Sequence, residues 1–273
     1  MCVAGCHEVV MRTLSRRGFF KGAAGAGAAT FAASALPAPA MAQAASFTKV
    51  IDLTHTLTPN FPTFGNEQQV WVDKILSIEK DGYNVNKWTI IEHVGTHMDA
   101  PAHFTKDGAS ADALPASVLV LPLAVIDVVA KAETNPDYQL TPDDIRAWES
   151  ANGRLPDNAC VAMNSGWDRH VGTPKFRNAD AQGVMHFPGF HGDTSEFLLK
   201  ERRVQGIVVD TLSLDHGPSK DFKVHLTWLP AGRWGIEGAA NLSQCPPKGA
   251  TIVVGGPKIK GATGGPSRVF ALA

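Results

Sequence analysis

Between His93 and Phe104 the chain reads His-Val-Gly-Thr-His-Met-Asp-Ala-Pro-Ala-His-Phe, which places three histidines and an aspartate within eleven positions. His93, His97, Asp99 and His103 are all odd-numbered. In an extended backbone successive side chains alternate between faces, so these four would point the same way. Gly95 takes the odd position in the middle and would leave the centre open. Imidazole nitrogens and a carboxylate converging there form a coordination set suited to a zinc- or manganese-like divalent ion. On a helix, His93 and His97 would also share a face, being four apart. Gly95 is a poor helix former, however, and Pro101 pushes Ala100 out of the helical region. The preceding run, Trp88-Thr89-Ile90-Ile91, is aromatic and β-branched, as strands prefer. The segment is therefore expected at the end of a strand and in the loop after it.

The N-terminal stretch has a different character. Ser15-Arg16-Arg17-Gly18-Phe19-Phe20-Lys21 precedes an Ala/Gly-rich apolar run, and Ala40-Met41-Ala42 and Ala42-Gln43-Ala44 both read as Ala-x-Ala cleavage sites. This resembles a twin-arginine export signal. The apolar run is too short and too weakly hydrophobic for a membrane anchor, and Pro37 and Pro39 close it. The expected organisation is an export signal with its cleavage region over residues 1–44 and one domain over 45–273. That predicts a periplasmic or otherwise exported protein whose partner during export is the twin-arginine translocation machinery. Four of the 25 basic and one of the 26 acidic side chains lie in the leader, so the remainder is mildly acidic. Nucleic acid and anionic membrane surfaces are not expected partners. Cys2 and Cys6 belong to the leader; Cys160 and Cys245 could form a disulfide in an oxidising compartment, but Cys160 lies in an apolar strand-like run, so both are read as free thiols, and no Cys-x-x-Cys metal or redox pattern exists.

Along the rest of the chain, strand-like runs cover 49–53, 70–78, 84–92, 118–129, 159–164, 206–210, 250–254 and 268–272. Two helices are signalled. Thr141-Pro142-Asp143-Asp144 offers a capping threonine, a first-turn proline and first-turn acids. Asp193-Thr194-Ser195-Glu196 offers a capping-box arrangement for a helix reaching about Arg203. Strands outnumber helices and the longer runs are β-branched, which predicts an α/β single domain with a large mixed sheet. The Gly/Pro-rich tail from Gly255 to Pro266 lacks the Gly-Lys-Ser/Thr ending of a phosphate loop, and no Gly-x-Ser-x-Gly elbow supports a serine triad.

The run from His93 to Phe104 resembles the signature of the metal-dependent cyclase family of hydrolases, which includes bacterial kynurenine formamidase and isatin hydrolase. Ile51-Asp52-Leu53-Thr54-His55 resembles that family's opening strand. Asn164-Ser165-Gly166-Trp167 and Phe187-Pro188-Gly189-Phe190 resemble its middle segments, and Val209 to Asp215 the stretch before its second ligand group. The resemblance implies a swivelling β/β/α fold in a homo-oligomer. It implies His93, His97 and Asp99 as ligands of one metal. It further implies Asp99 bridging to a second metal held by His225 and Glu237, with His103 as the acid/base residue. One or two ions, zinc or manganese, are compatible with the family.

The expected activity is hydrolysis of an amide, lactam or related acyl bond in a small, aromatic or cyclic substrate, by hydroxide formed on the metal with proton help from His103. Phe61, Phe64 and Trp88 are the expected substrate-wall residues. Export argues against a role in cytosolic tryptophan breakdown. The alternatives are an exported metal-dependent small-molecule binding protein without catalysis, or a purely structural metal. His103 argues against both, since neither needs an extra titratable group beside the metal. His55 is expected near the site in a supporting role, His170, His186 and His191 on loops, and His216 outside the ligand set. Asp210, ending an apolar strand, is expected to orient a ligand histidine.

Overall fold

The computed structural model describes residues 46–273; the expected export signal over 1–44 lies outside the described residues. The strands in chain order are β1 Val50–Asp52, β2 Val70–Leu76, β3 Val85–Ile90, β4 His97–Asp99, β5 Val120–Asp127, β6 Gln139–Leu140, β7 Cys160–Asn164, β8 Gly189–Phe190, β9 Gly206–Val209, β10 Trp234–Glu237, β11 Ala250–Gly255, β12 Gly264–Pro266 and β13 Arg268–Leu272. Nine of them form one sheet in the order β1-β13-β11-β5-β7-β9-β10-β4-β12. Its centre, β5-β7-β9-β10, is parallel. The flanking pairs are antiparallel. This is the expected mixed α/β domain with a large, curled sheet.

Strand alternation sorts the central side chains onto two faces. Leu123 and Val125 point to one core, with Cys160, Ala162, Val208 and Ile252. Ala124 and Ile126 point to the other, with Val161, Met163 and Ile207, where helix residues Ile145, Phe197 and Trp228 cover them. Burying each large aliphatic or aromatic side chain is worth about 1.5–3 kcal/mol, so both faces contribute. Continuous apolar runs such as residues 160–163 are what a strand covered on both sides requires.

The helix Pro142–Asn152 starts as its sequence predicts, with a reciprocal capping box between Thr141 and Asp144. The second expected helix is capped differently. It spans Gly192–Phe197, and the His191 side chain, not an Asp193 box, accepts from the Asp193 backbone N–H. A π-helical turn, Leu198–Arg202, continues it. Cys160 is a buried free thiol and Cys245 a partly buried one.

The β2–β3 hairpin stands apart from the main sheet. Trp71, Val72, Ile75, Ile78, Tyr83 and Trp88 on it are exposed. Among the described residues, no helix is long and apolar enough to cross a membrane.

Candidate metal centre

The short strand β4 lies between β10 and β12, and its register places His97 opposite Glu237 and Asp99 opposite both Gly235 and Gly264. The side-chain space at these glycines is taken by Leu214 at Gly235 and by the His93 ring at Gly264. His97 and Asp99 are two apart on one strand and therefore share a face. Glu237, across the ladder from His97, joins them there. His225 enters from the helix Lys223–Trp228.

The resulting cluster is tight and buried. Asp99 Oδ1 lies 2.8 Å from His93 Nδ1 and 3.4 Å from His97 Nε2. Asp99 Oδ2 lies 3.4 Å from His225 Nε2. Glu237 approaches both His97 Nε2, at 3.3 Å, and His225 Nε2, at 3.1 Å. All five proposed ligands, His93, His97, Asp99, His225 and Glu237, are thus brought together.

Backbone and carboxylate partners fix the outer nitrogens. His97 Nδ1 faces the Gly95 carbonyl at 3.0 Å, and His225 Nδ1 faces Asp215 at 2.6 Å. If Nδ1 donates in each ring, each Nε2 presents a lone pair towards a carboxylate. Two such unshared pairs face one another unless a cation lies between. His97 Nε2 and Asp99 Oδ2 are buried without a hydrogen-bond partner, as atoms awaiting an ion would be. The donor set, imidazole nitrogen and carboxylate oxygen, fits zinc or manganese.

The electrostatics point the same way. Burial opposes charge on His97, but the carboxylates of Asp99 and Glu237 outweigh it and raise its pKa to about 10. Burial likewise opposes charge on His225, and Asp215, Asp99 and Glu237 overcome it. Burial disfavours the Asp99 carboxylate, yet the three imidazoles hold it well below its ordinary value. The centre demands positive charge, which a divalent ion supplies without extra protons.

His103 sits in the short 3-10 turn Pro101–His103 just after β4. Its ring stacks on His93 with centroids 3.7 Å apart and lies 6.1 Å from His225. Burial pushes its pKa down to about 4, Asp99 opposing and His93 and His225 reinforcing the shift, so the ring is neutral. Two groups have ligand atoms spaced to hold an ion, His93-Asp99-His103 and His97-Asp99-Glu237, and Asp99 is common to both.

Above the cluster opens a cavity of about 400 Å³. His97, His103, His225 and Glu237 contribute to its lining, and Phe61, Phe64, Phe104, Phe176 and Phe222 give it aromatic walls. Phe61 is buried, whereas Phe64 is partly exposed at the rim. Trp88 does not line this cavity; it is 61% exposed on the hairpin.

Several details depart from the sequence reading. Gly95 has φ +71°, so the run is not extended throughout, and the parity argument does not by itself explain the convergence. A Cβ at Gly95 would meet Leu57 Cδ1 at 2.8 Å, so the space there belongs to Leu57 and not to an ion. Asp215, not Asp210, orients the ligand histidine His225. Asp210 instead accepts from the Ser165 and Trp167 backbone N–H groups and the Ser165 hydroxyl. His55 donates its backbone N–H to Thr96 Oγ1, and its ring lies beside Phe61. Phe104, Phe176 and Phe222 are wall residues that the sequence reading does not single out. Phe104 follows directly on the histidine run, a position from which a wall residue could have been inferred, while nothing local marks Phe222.

Known proteins with related sequences and structures sharpen the picture. The Cyclase family profile matches residues 51–216, which contain His93, His97, Asp99 and His103 but not His225 or Glu237. Isatin hydrolase from Roseibium aggregatum is 33% identical over 243 residues, covering 82% of this chain and 91% of that protein. Kynurenine formamidase from Salinibacter ruber is 25% identical over 222 residues, covering 80% of this chain and 95% of that protein. A crystal structure of an isatin hydrolase bound to the product analogue thioisatinate superposes with a TM-score of 0.77 at 32% identity, covering 82% of this chain and 92% of that one.

Proposed function

The chain belongs to the Cyclase family, and from that premise we propose that it opens a small cyclic or aryl amide at a divalent metal centred on Asp99. Its relatives make it a metal-dependent hydrolase of non-peptide carbon–nitrogen bonds. The single observation that carries the finer reading is the meeting of two things. Unpartnered, buried ligand atoms lie beneath an aromatic-walled cavity of about 400 Å³, a size suited to a one- or two-ring substrate.

His93, His97 and Asp99 would hold one ion, and His225 and Glu237 would share Asp99 with a second. Asp99 directs one oxygen at His93 and His97 and the other at His225, which favours a bridging role. A divalent ion there lowers the pKa of a bound water towards about 7 and polarises a carbonyl. The protein's own groups do the rest. Phe61, Phe64 and Phe222 grip a flat ring, with Phe64 and Phe222 at 6.3 Å from each other. The ligand side chains of His97, His225 and Glu237 at the cavity floor are buried, which keeps bulk water from them. As water adds to the carbonyl carbon and the carbon–nitrogen bond breaks, the leaving nitrogen needs a proton. His103, neutral and within the cavity lining, takes the proton from water and delivers it to that nitrogen.

The test is a substrate panel. Metal-stripped protein, given zinc or manganese separately, is assayed on bicyclic lactams and imides of the isatin type, N-formyl anilines and lactones. Turnover of a cyclic or aryl amide supports the reading. Tight binding of such compounds with no product would make the chain a binding protein.

Two further proposals accompany it. Ser15 to Lys21 and the two Ala-x-Ala sites support export by the twin-arginine route, which fractionation of the native host would test. The exposed apolar side chains of the β2–β3 hairpin support a homo-oligomer, since a bare two-stranded ribbon is only marginally stable and apolar patches of this kind mark interfaces.

A further inference from the structure

The outer nitrogens of His97 and His225 rest on a carbonyl and a carboxylate; that of His93 has a different arrangement. His93 Nε2 lies 3.0 Å from Thr263 Oγ1, and Thr263 Oγ1 donates to Glu92 at 2.5 Å. A hydroxyl has one proton, and a carboxylate can only accept. With the Thr263 proton committed to Glu92, Thr263 Oγ1 must accept from His93 Nε2–H. That fixes the His93 tautomer and leaves a lone pair on Nδ1, the atom 2.8 Å from Asp99 Oδ1.

The backbone reinforces the arrangement. The Thr263 N–H also donates to the Glu92 carboxylate, at 3.2 and 3.3 Å to its two oxygens. The next residue, Gly264, could not be alanine, because its Cβ would fall 2.7 Å from His93 Cε1 and 2.2 Å from the Met98 carbonyl oxygen. The turn before β12 is thus shaped around the His93 ring.

We infer that Glu92 and Thr263 form a positioning relay that sets His93 to bind metal through Nδ1. Neither residue touches substrate or metal; Thr263 acts through His93, and Glu92 acts through Thr263. Thr263 lies well beyond the stretch matched by the family profile, although the ring it serves lies within it. This inference rests on the metal-centre reading above for its functional meaning. Its structural claim, a proton on His93 Nε2 held by Thr263 Oγ1, is read directly by NMR.

The experiment has two arms on the full chain. In the first, ¹⁵N-histidine-labelled, metal-free protein is read by long-range ¹H–¹⁵N NMR, with the His93 signals assigned by their loss in His93→Gln. The wild type should show Nε2–H. Thr263→Val should shift His93 towards Nδ1–H, and Thr263→Ser should restore Nε2–H. Glu92→Ala, which removes a partly buried side chain, should give a mixture of tautomers. A wild type without a proton on Nε2, or a Thr263→Val variant that keeps it as fully as wild type, overturns the relay.

In the second arm, zinc and manganese affinities are measured by chelator competition. Thr263→Val should bind roughly 10–100-fold more weakly, the range seen when such outer partners are lost. Thr263→Ser should return to within a few-fold of wild type. Equal affinities in wild type and Thr263→Val overturn the relay. If wild type and His93→Ala bind metal equally poorly, the metal-centre reading fails, while the tautomer arm still decides the relay.

Discussion

His103 lies face to face with His93, their ring centroids 3.7 Å apart and their planes inclined by 21°. His93 contacts Asp99 directly, whereas His103 makes no hydrogen bond to it. A residue stacked on a ligand but outside the hydrogen-bonded cluster is placed to move protons. Replacement His103→Ala should lower kcat by about 10²–10⁴-fold with metal content unchanged. Steady-state kinetics beside metal analysis checks this; loss of metal would make His103 a ligand, as the His93-Asp99-His103 grouping permits.

Metal removal should separate activity from folding. Both hydrophobic cores are built from strands and helices around the sheet, and none of the five ligand residues belongs to either. Stripped protein should retain its far-ultraviolet circular dichroism and lose turnover. Restoring metal at about 100 times its dissociation constant should add about 2.7 kcal/mol of stability, read as a rise in Tm. Unfolding of the stripped protein would indicate a structural ion.

Phe222 has φ +47° and caps the helix that carries His225. A non-glycine residue held there pays backbone strain of about 1–2 kcal/mol. Phe222→Gly relieves that strain while losing an aromatic wall. Its unfolding free energy should change by less than about 1 kcal/mol, because strain relief offsets lost burial, but KM should rise about tenfold or more. An unchanged KM would remove Phe222 from the substrate site.

Burial pushes the Asp210 carboxyl up to about 7, with hydrogen bonds from Ser165 and Trp167 opposing the rise. A carboxyl with a raised folded-state pKa takes up a proton on folding between its unfolded value and about 7. Its contribution to stability therefore falls as pH climbs through that window, by on the order of 1 kcal/mol per pH unit. Asp210→Asn removes the slope, since one amide oxygen can take both backbone N–H groups. Denaturant melts from pH 4 to pH 7 on both proteins check it, and parallel curves would refute a raised Asp210.

Charge placed on the hairpin should break the proposed homo-oligomer. Trp88→Lys, with 61% of that residue exposed, should leave the fold intact and yield monomers by sedimentation. A wild type that is itself monomeric would end the proposal of self-association.

The sequence made the long β-branched strands and the Thr141 cap legible because their signals are local. It did not reveal β4 or β10 as strands. His97–Asp99 is short and polar, and becomes a strand only because β10 and β12 flank it. Trp234–Glu237 is only four residues long and is interrupted by a glycine. The helix under His225 is short and lacks a capping side chain. The ligand run was recognisable from composition and spacing, but its convergence comes from the left-handed turn at Gly95 and from sheet pairing, neither of which parity encodes. Asp210 looked like the orienting carboxylate because it ends a strand; Asp215 takes the role because its loop passes the helix bearing His225.

The opposed placement of His97 and Glu237 on neighbouring strands has one more result. A slip of one position between β4 and β10 would turn one of these side chains to the far side of the sheet. Misassembled molecules would then be inert instead of altered in selectivity, so activity doubles as a readout of whether the chain has reached its correct register.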